Sequence, residues 1–189
     1  MGCGCGKKNA APGGTVHFMG RDGSKKDADP ADWGPILWKY LHCMAEKCGA
    51  TNNAVMDADQ ANCLDTLLGT LHLILPCTEC QAHAAAYVAS HPAPQLKELH
   101  GAELRATVRN WLFEFHNHVR STKGQPIMLR TPEECAATYA NSFVPKCEHT
   151  AFTQSVAFAV RQGWVRIEHW RKWYSTSERA RLVLGNIVV

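Results

Sequence analysis

Apolar residues recur at spacings of three and four along most of this chain, and that period predicts helices rather than strands. The segment DWGPILWKYLHCMAEKC (32–48) places Trp38, Leu41, Ala45 and Cys48 on one face, with Pro35 where a first helical turn tolerates it. Asp57 with Gln60 three residues on marks a second helix start. Cys63, Leu64, Leu67, Leu68, Leu71, Ile74 and Leu75 continue that helix as far as Pro76. CTECQAHAAAYVAS (77–90) is an alanine-rich third helix that stops before HPAP. Leu104, Val108, Trp111, Phe115 and Val119 form the stripe of a fourth, from Gly101 to about Ser121. After a turn region at 122–131, Thr131 as N-cap, Pro132 and Glu134 predict a short fifth helix over 131–140. From Thr150 the pattern predicts one more helix through AFAVRQGWVRIEHWRKWY. No period-two alternation is long enough for a sheet, and no repeat is present. The expected fold is all-α: a four-helix bundle with a short fifth helix and a C-terminal helical extension.

Composition divides the 189 residues further. Residues 1–31 hold glycines, five Lys or Arg and little to bury, and so read as a flexible tail. Residues 32–147 carry the helical domain, and 148–189 a basic, aromatic extension. Six Arg and Lys against two Glu fall within 149–189, so the net charge of +3 sits largely there. That charge is too small to imply nucleic acid. No apolar run is long enough to cross a bilayer, and the start lacks the apolar core of a signal peptide. Nine cysteines are many for such a chain. Two of them, Cys3 and Cys5, lie in MGCGCGKK within the tail.

The sharpest chemical signal is LPCTEC, where Cys77 and Cys80 stand at a helix start directly after Pro76. Unpaired N–H groups and a partial positive charge at that end stabilise a thiolate. The spacing lets the two sulfurs meet, which suits a pair cycling between dithiol and disulfide. A competing reading makes Cys77, Cys80 and His83 part of a zinc site. Such a site wants four ligands, and Cys43, Cys48 and His72 lack the spacing to complete one. A thioredoxin-like reading needs a βαβ context, which is missing. The second signal is RNWLFEFHNHVRSTKGQP (109–126), where His116 and Asn117 cluster as the fourth helix runs out. Alone, such histidines are more often solvated than functional.

Together, WGPILWKYLH, LPCTEC and RNWLFEFHNHV resemble the Erv/ALR family of FAD-dependent sulfhydryl oxidases. Gly34, Trp38, Leu41 and His42 match its first-helix motif. Pro76, Cys77 and Cys80 match its active disulfide, and Trp111, His116, Asn117 and Val119 its fourth-helix motif. The resemblance covers about residues 30–140. Arg120, Lys123 and Gln125 depart from the usual Asn, Leu and Lys after that last motif, so Arg120 or Lys123 is expected to supply the basic charge near the flavin. Phe113 stands where many members have a cysteine of a structural clamp, and Leu75 where an aromatic often precedes the proline. Cys135 and Cys147 are candidates for a replacement clamp, whereas Cys43 and Cys48 read as packed thiols.

The resemblance implies FAD bound among the helices, with the fifth helix contributing. It implies a cofactor site of Gly34, Trp38, His42, His116, Asn117, Val119, Arg120, Lys123 and Tyr139, the last covering the adenine. Cys77 would meet the incoming thiol and Cys80 would face the flavin. Electrons would pass from thiol-containing substrate proteins to dioxygen, giving hydrogen peroxide, in a homodimer without metal. Cys3 and Cys5 would form a shuttle pair on the tail. Acylation at Gly2 and Cys3, or thiols without a role, are the alternatives there. Members work in the mitochondrial intermembrane space, the secretory pathway, or the cytoplasm during assembly of large DNA viruses. The missing clamp and signal peptide favour the cytoplasm or virion of such a virus. The alternative function is a non-catalytic helical binding or structural protein with zinc at the CxxC. The C-terminal extension reads first as packing onto the domain, then as a docking surface, a dimer arm or an interfacial helix.

Overall fold

The computed structural model describes residues 28–51, 53–140 and 146–185. Asp29 caps α1 (Pro30–Lys47), its carboxylate accepting the Ala31 N–H at 2.8 Å, and Pro30 occupies the first turn. Pro35 therefore lies inside the helix rather than at its start. α2 (Ala54–Gly69) begins at Asn53, whose side chain accepts from Val55 and Met56. Asp57, expected to mark that start, is buried and has another task. Its carboxylate accepts from Thr51 Oγ1 at 2.9 Å and from the Gly101 N–H at 2.7 Å, which ties α2 to the start of a later helix.

The second helix is also shorter than its leucine pattern predicts. It ends at Gly69, and the chain continues as a single 3-10 turn at Leu71–Leu73. Leu71, Ile74 and Leu75 stay buried in this irregular stretch. The apolar period thus reported burial correctly but not helix continuity. α3 (Thr78–Ser90), α4 (Gly101–Thr122) and α5 (Pro132–Tyr139) lie where the pattern predicts them. At the start of α5, Thr131 Oγ1 accepts the Glu134 N–H at 3.3 Å, and Glu134 reaches back to the Arg130 N–H at 2.6 Å.

The largest departure is C-terminal. Instead of one helix there are two, α6 (Lys146–Arg161) and α7 (Ile167–Gly185). Gly163 at φ 78° turns the chain between them, a conformation that costs other residues about 1–2 kcal/mol. The hairpin packs against the bundle, α6 along α1 and α7 along α2. Phe152 and Trp173 are fully buried there, and the Trp173 indole N–H reaches the Leu67 carbonyl at 3.3 Å. One hydrophobic core runs without a break from Trp33 and Leu37 of α1 to Ala180 and Leu184 of α7. Packing onto the helical domain is thus the reading of the extension that the fold bears out. Among the described residues there are seven α-helices and no strand. None of these helices is long and apolar enough to cross a membrane.

Candidate active site

The segment 75–77 carries the chain from the 3-10 turn into α3, and each of its carbonyls has a donor. The Leu75 carbonyl accepts from Gln81 Nε2 at 2.7 Å, that of Pro76 from the Ala28 N–H at 3.1 Å, and that of Cys77 from the Gln81 N–H at 2.9 Å. Cys77 is itself the N-cap, extended at φ −152°, and its sulfur accepts the Cys80 N–H at 3.1 Å. Cys77 and Cys80 are joined as a disulfide, their Cα atoms 5.2 Å apart. The helix start that favours a thiolate is therefore occupied by a disulfide. Because the sulfurs bond to one another, the zinc reading loses its two principal ligands. Among the described residues, no group of three or more His, Cys, Asp or Glu is placed to hold a metal.

A cavity of about 750 Å³ opens beside this pair, within the range of about 300–1,000 Å³ usual for organic ligands. Cys80 lines it and Cys77 does not. Gly34, Trp38, His116, Val119, Arg120, Lys123 and Tyr139 line it as well, brought together from α1, α4, the end of α4 and α5. His42 and Asn117 stand behind this wall. The Asn117 side chain donates to the Leu129 carbonyl at 3.3 Å, which ties α4 to the loop before α5.

The wall is a stack of rings. Trp38 and His116 lie parallel at 4.1 Å, Phe115 meets Trp38 edge-on at 5.5 Å, and His42 stacks on Tyr139 at 4.9 Å. His42 Nε2 and His116 Nδ1 are 3.1 Å apart, so one nitrogen carries the proton and the other accepts it. Burial pushes His42 down to about 4. Burial, reinforced by His42 and Arg120, pushes His116 down to about 3. Both rings are neutral at physiological pH.

Several contributors escaped the motif reading. Trp33, Ala84, Phe115, His118 and Met128 also line the cavity. Phe115 belongs to the apolar stripe and His118 falls within RNWLFEFHNHVRSTKGQP, but nothing in the spacing says which way they face. Cys135 and Cys147, the candidates for a replacement clamp, are not joined to one another. Cys135 is a buried thiol that burial pushes up to about 11. Near it, Arg109 grips Glu46 through two hydrogen bonds of 2.6 Å, joining α4 to α1. Cys3 and Cys5 lie outside the described residues.

Residues 35–142 match the sequence model of the Erv1 / Alr family, more than half of the chain, from within α1 through α5. The chain belongs to the Erv1 / Alr family. Among curated relatives, "Putative FAD-linked sulfhydryl oxidase 096R" of Invertebrate iridescent virus 3 is 27% identical over 158 residues, covering 82% of this chain and 90% of the relative. "Putative FAD-linked sulfhydryl oxidase 347L" of Invertebrate iridescent virus 6 is 27% identical over 111 residues, 58% of this chain and 93% of the relative. No solved structure matches. The alignment to the first relative is longer than the Erv1 / Alr segment, so likeness extends beyond the site helices.

The residues present suit a flavin dinucleotide. Aromatic faces offer stacking for planar rings, and Arg120 and Lys123 bring positive charge for phosphates. A Cβ built on Gly34 would meet no atom within 4 Å, so this glycine leaves open a part of the cavity that a larger side chain would enter.

Proposed function

We propose that this chain is a flavin-linked thiol oxidase that forms disulfides in protein substrates through the Cys77–Cys80 pair. The carrying observation is the asymmetry of that pair: one sulfur's residue opens on the cavity and the other's does not. This supports Cys80 on the cofactor side and leaves Cys77 for the substrate. A substrate thiolate attacks the Cys77 sulfur, the Cys77–Cys80 bond breaks, and Cys80 leaves as a thiolate. A second substrate thiolate then attacks the mixed disulfide, releasing oxidised substrate and leaving both cysteines reduced. The Cys80 N–H directed at the Cys77 sulfur, together with the amide end of α3, favours the Cys77 thiolate as the second attack releases it. When bound, flavin supplies two-electron chemistry, accepting the pair from the dithiol and delivering it to dioxygen with hydrogen peroxide as product.

The other residues bind and orient. Trp38 and His116 present a stacked face, His42 holds His116 by a shared proton, and Val119 fills beside them. Arg120 and Lys123 would hold the phosphates and Tyr139 would cover the adenine, while Asn117 fixes the loop that closes on α4. Cys3 and Cys5 form a shuttle pair that relays electrons from bulky substrates. Assembly as a homodimer is carried over from the family, as is work in the cytoplasm or virion of a large DNA virus, to which the two viral relatives conform.

Purified protein is expected to be yellow and to make peroxide from dithiothreitol under air. Cys80→Ala is expected to keep bound FAD and lose peroxide production. Colourless protein would overturn the oxidase reading, and turnover retained by Cys80→Ala would overturn the role of Cys80. In the same assay, Ser at both Cys3 and Cys5 should slow a protein substrate more than dithiothreitol. Equal effects remove the shuttle.

A further inference from the structure

Gln81 follows Cys80 directly, and its side chain makes two bonds whose partners lie far apart in the chain. Nε2 donates to the Leu75 carbonyl at 2.7 Å and to the Trp164 carbonyl at 3.1 Å. Its backbone N–H takes the Cys77 carbonyl at 2.9 Å. One half-buried residue therefore binds the segment carrying Cys77 to the helix carrying Cys80, and binds both to the turn between α6 and α7. Trp164 lies outside the stretch that defines the family, and it packs against the core beside Phe158 at 5.7 Å. Its own N–H is spent on the Ala159 carbonyl at 2.9 Å, which fixes the turn. Both donor hydrogens of the amide are used, so the bonds act together rather than as alternatives.

We propose that Gln81 is a positioning residue, coupling the α6–α7 hairpin to the redox pair. While the pair is oxidised, the covalent bond holds the two cysteines together and the clamp adds little. Once reduced, the pair has only the surrounding structure to keep segment 75–77 against α3. The clamp keeps the two sulfurs within reach of one another in the dithiol and so opposes its relaxation. Removing the clamp lets the dithiol relax and favours it over the disulfide. The hairpin thereby acts on the active disulfide through one side-chain amide. This inference rests on the pair being the working redox centre, yet its readout is the thiol–disulfide equilibrium rather than turnover.

The test is an anaerobic titration of the flavin-loaded, full-length protein in glutathione buffers, with alkylation and mass analysis of the peptide holding Cys77 and Cys80. Gln81→Met keeps length and removes the donor. Its equilibrium constant for disulfide formation is expected to fall about fivefold, the two lost bonds together contributing about one net hydrogen bond to the difference between disulfide and dithiol. Gly163→Ala strains the turn that presents the Trp164 carbonyl, and should lower the same constant about twofold, since one of two bonds is weakened. In the Gln81→Met background, Gly163→Ala should change nothing. An unaltered constant in Gln81→Met overturns the positioning role. A Gly163→Ala effect that is absent, or equal in both backgrounds, overturns the link to the hairpin. Unaltered protein that holds no flavin and makes no peroxide would strike the oxidase reading, whereas the shift of the constant between the variants reads the clamp.

Discussion

His42, behind the cavity wall, faces His116 in that wall across 3.1 Å, and burial keeps both uncharged. Unfolded, each takes up a proton near pH 6.5; folded, they resist until about 4 and about 3. Between those limits the unfolded chain binds more protons. Stability from this pair is therefore complete above 6.5 and drains away as pH falls below it. His72 and His149 are shifted in the same direction, each chiefly by burial, and add to the effect. His42 and His116, held neutral, each contribute a slope approaching about 1.4 kcal/mol per pH unit in that window. Thermal midpoints measured from pH 7.5 to 4.5 should fall more gently in His42→Gln, which keeps a hydrogen-bonding partner for His116 but does not titrate. Parallel curves for the variant and the unaltered protein would show that His42 is not the neutral buried group described here.

At the level of elements, the join between α1 and α4 decides how the two motif-bearing helices meet. Gly49, just past α1, has φ 63°, and a Cβ there would fall on the Gly101 carbonyl. Asp57 and Gln60 of α2 complete the join by accepting from Gly101 and Gly49 at 2.7 and 2.8 Å. Gly49→Ala should cost at least about 2 kcal/mol, since strain at positive φ and a backbone collision add. Gly163→Ala, which has the same strain in open space, should cost only about 1 kcal/mol. Denaturant unfolding of the two variants separates the terms, and equal losses would show that Gly101 yields to the added methyl.

This join also marks how far the sequence could be read. Helical period located α1, α3 and α4, period with capping located α5, and the family resemblance carried by Trp38, Cys77, Cys80 and His116 pointed to the disulfide and the cavity beside it. Helix ends set by tertiary partners were not legible. Asp57 reads as a start signal because capping and long-range bonding use the same carboxylate. Leu71, Ile74 and Leu75 read as helix because burial follows the same spacing in an irregular stretch. The split between α6 and α7 hung on Gly163, whose φ no residue pattern announces. That His42 would stand behind His116, and that Gln81 would reach Trp164, depends on how helices meet, which spacing along one helix does not contain.

At the scale of the whole molecule, the site is held by a core that includes the C-terminal hairpin. Trp33 of α1 touches Phe152 of α6 at 6.2 Å, and Phe152 meets Trp173 of α7 edge-on at 5.6 Å. Trp33 also lines the cavity, so one chain of rings leads from α7 to the cofactor wall. α6 and α7 cover faces of α1 and α2, which are therefore closed to other partners. Continuity of the core requires that the hairpin and the bundle unfold together. Trp173→Ala removes a fully buried ring and its bond to the Leu67 carbonyl, which should cost about 3–5 kcal/mol. A hairpin that merely rested on a self-sufficient bundle would lose that stability alone, leaving amides of α1 and α4 as protected from hydrogen exchange as before. With one shared core, the variant should instead lose protection in α1, α2 and α7 by the same factor, with a single unfolding transition at a lower midpoint. Selective loss in α6 and α7 would refute the shared core, and would divide the molecule where the family segment ends.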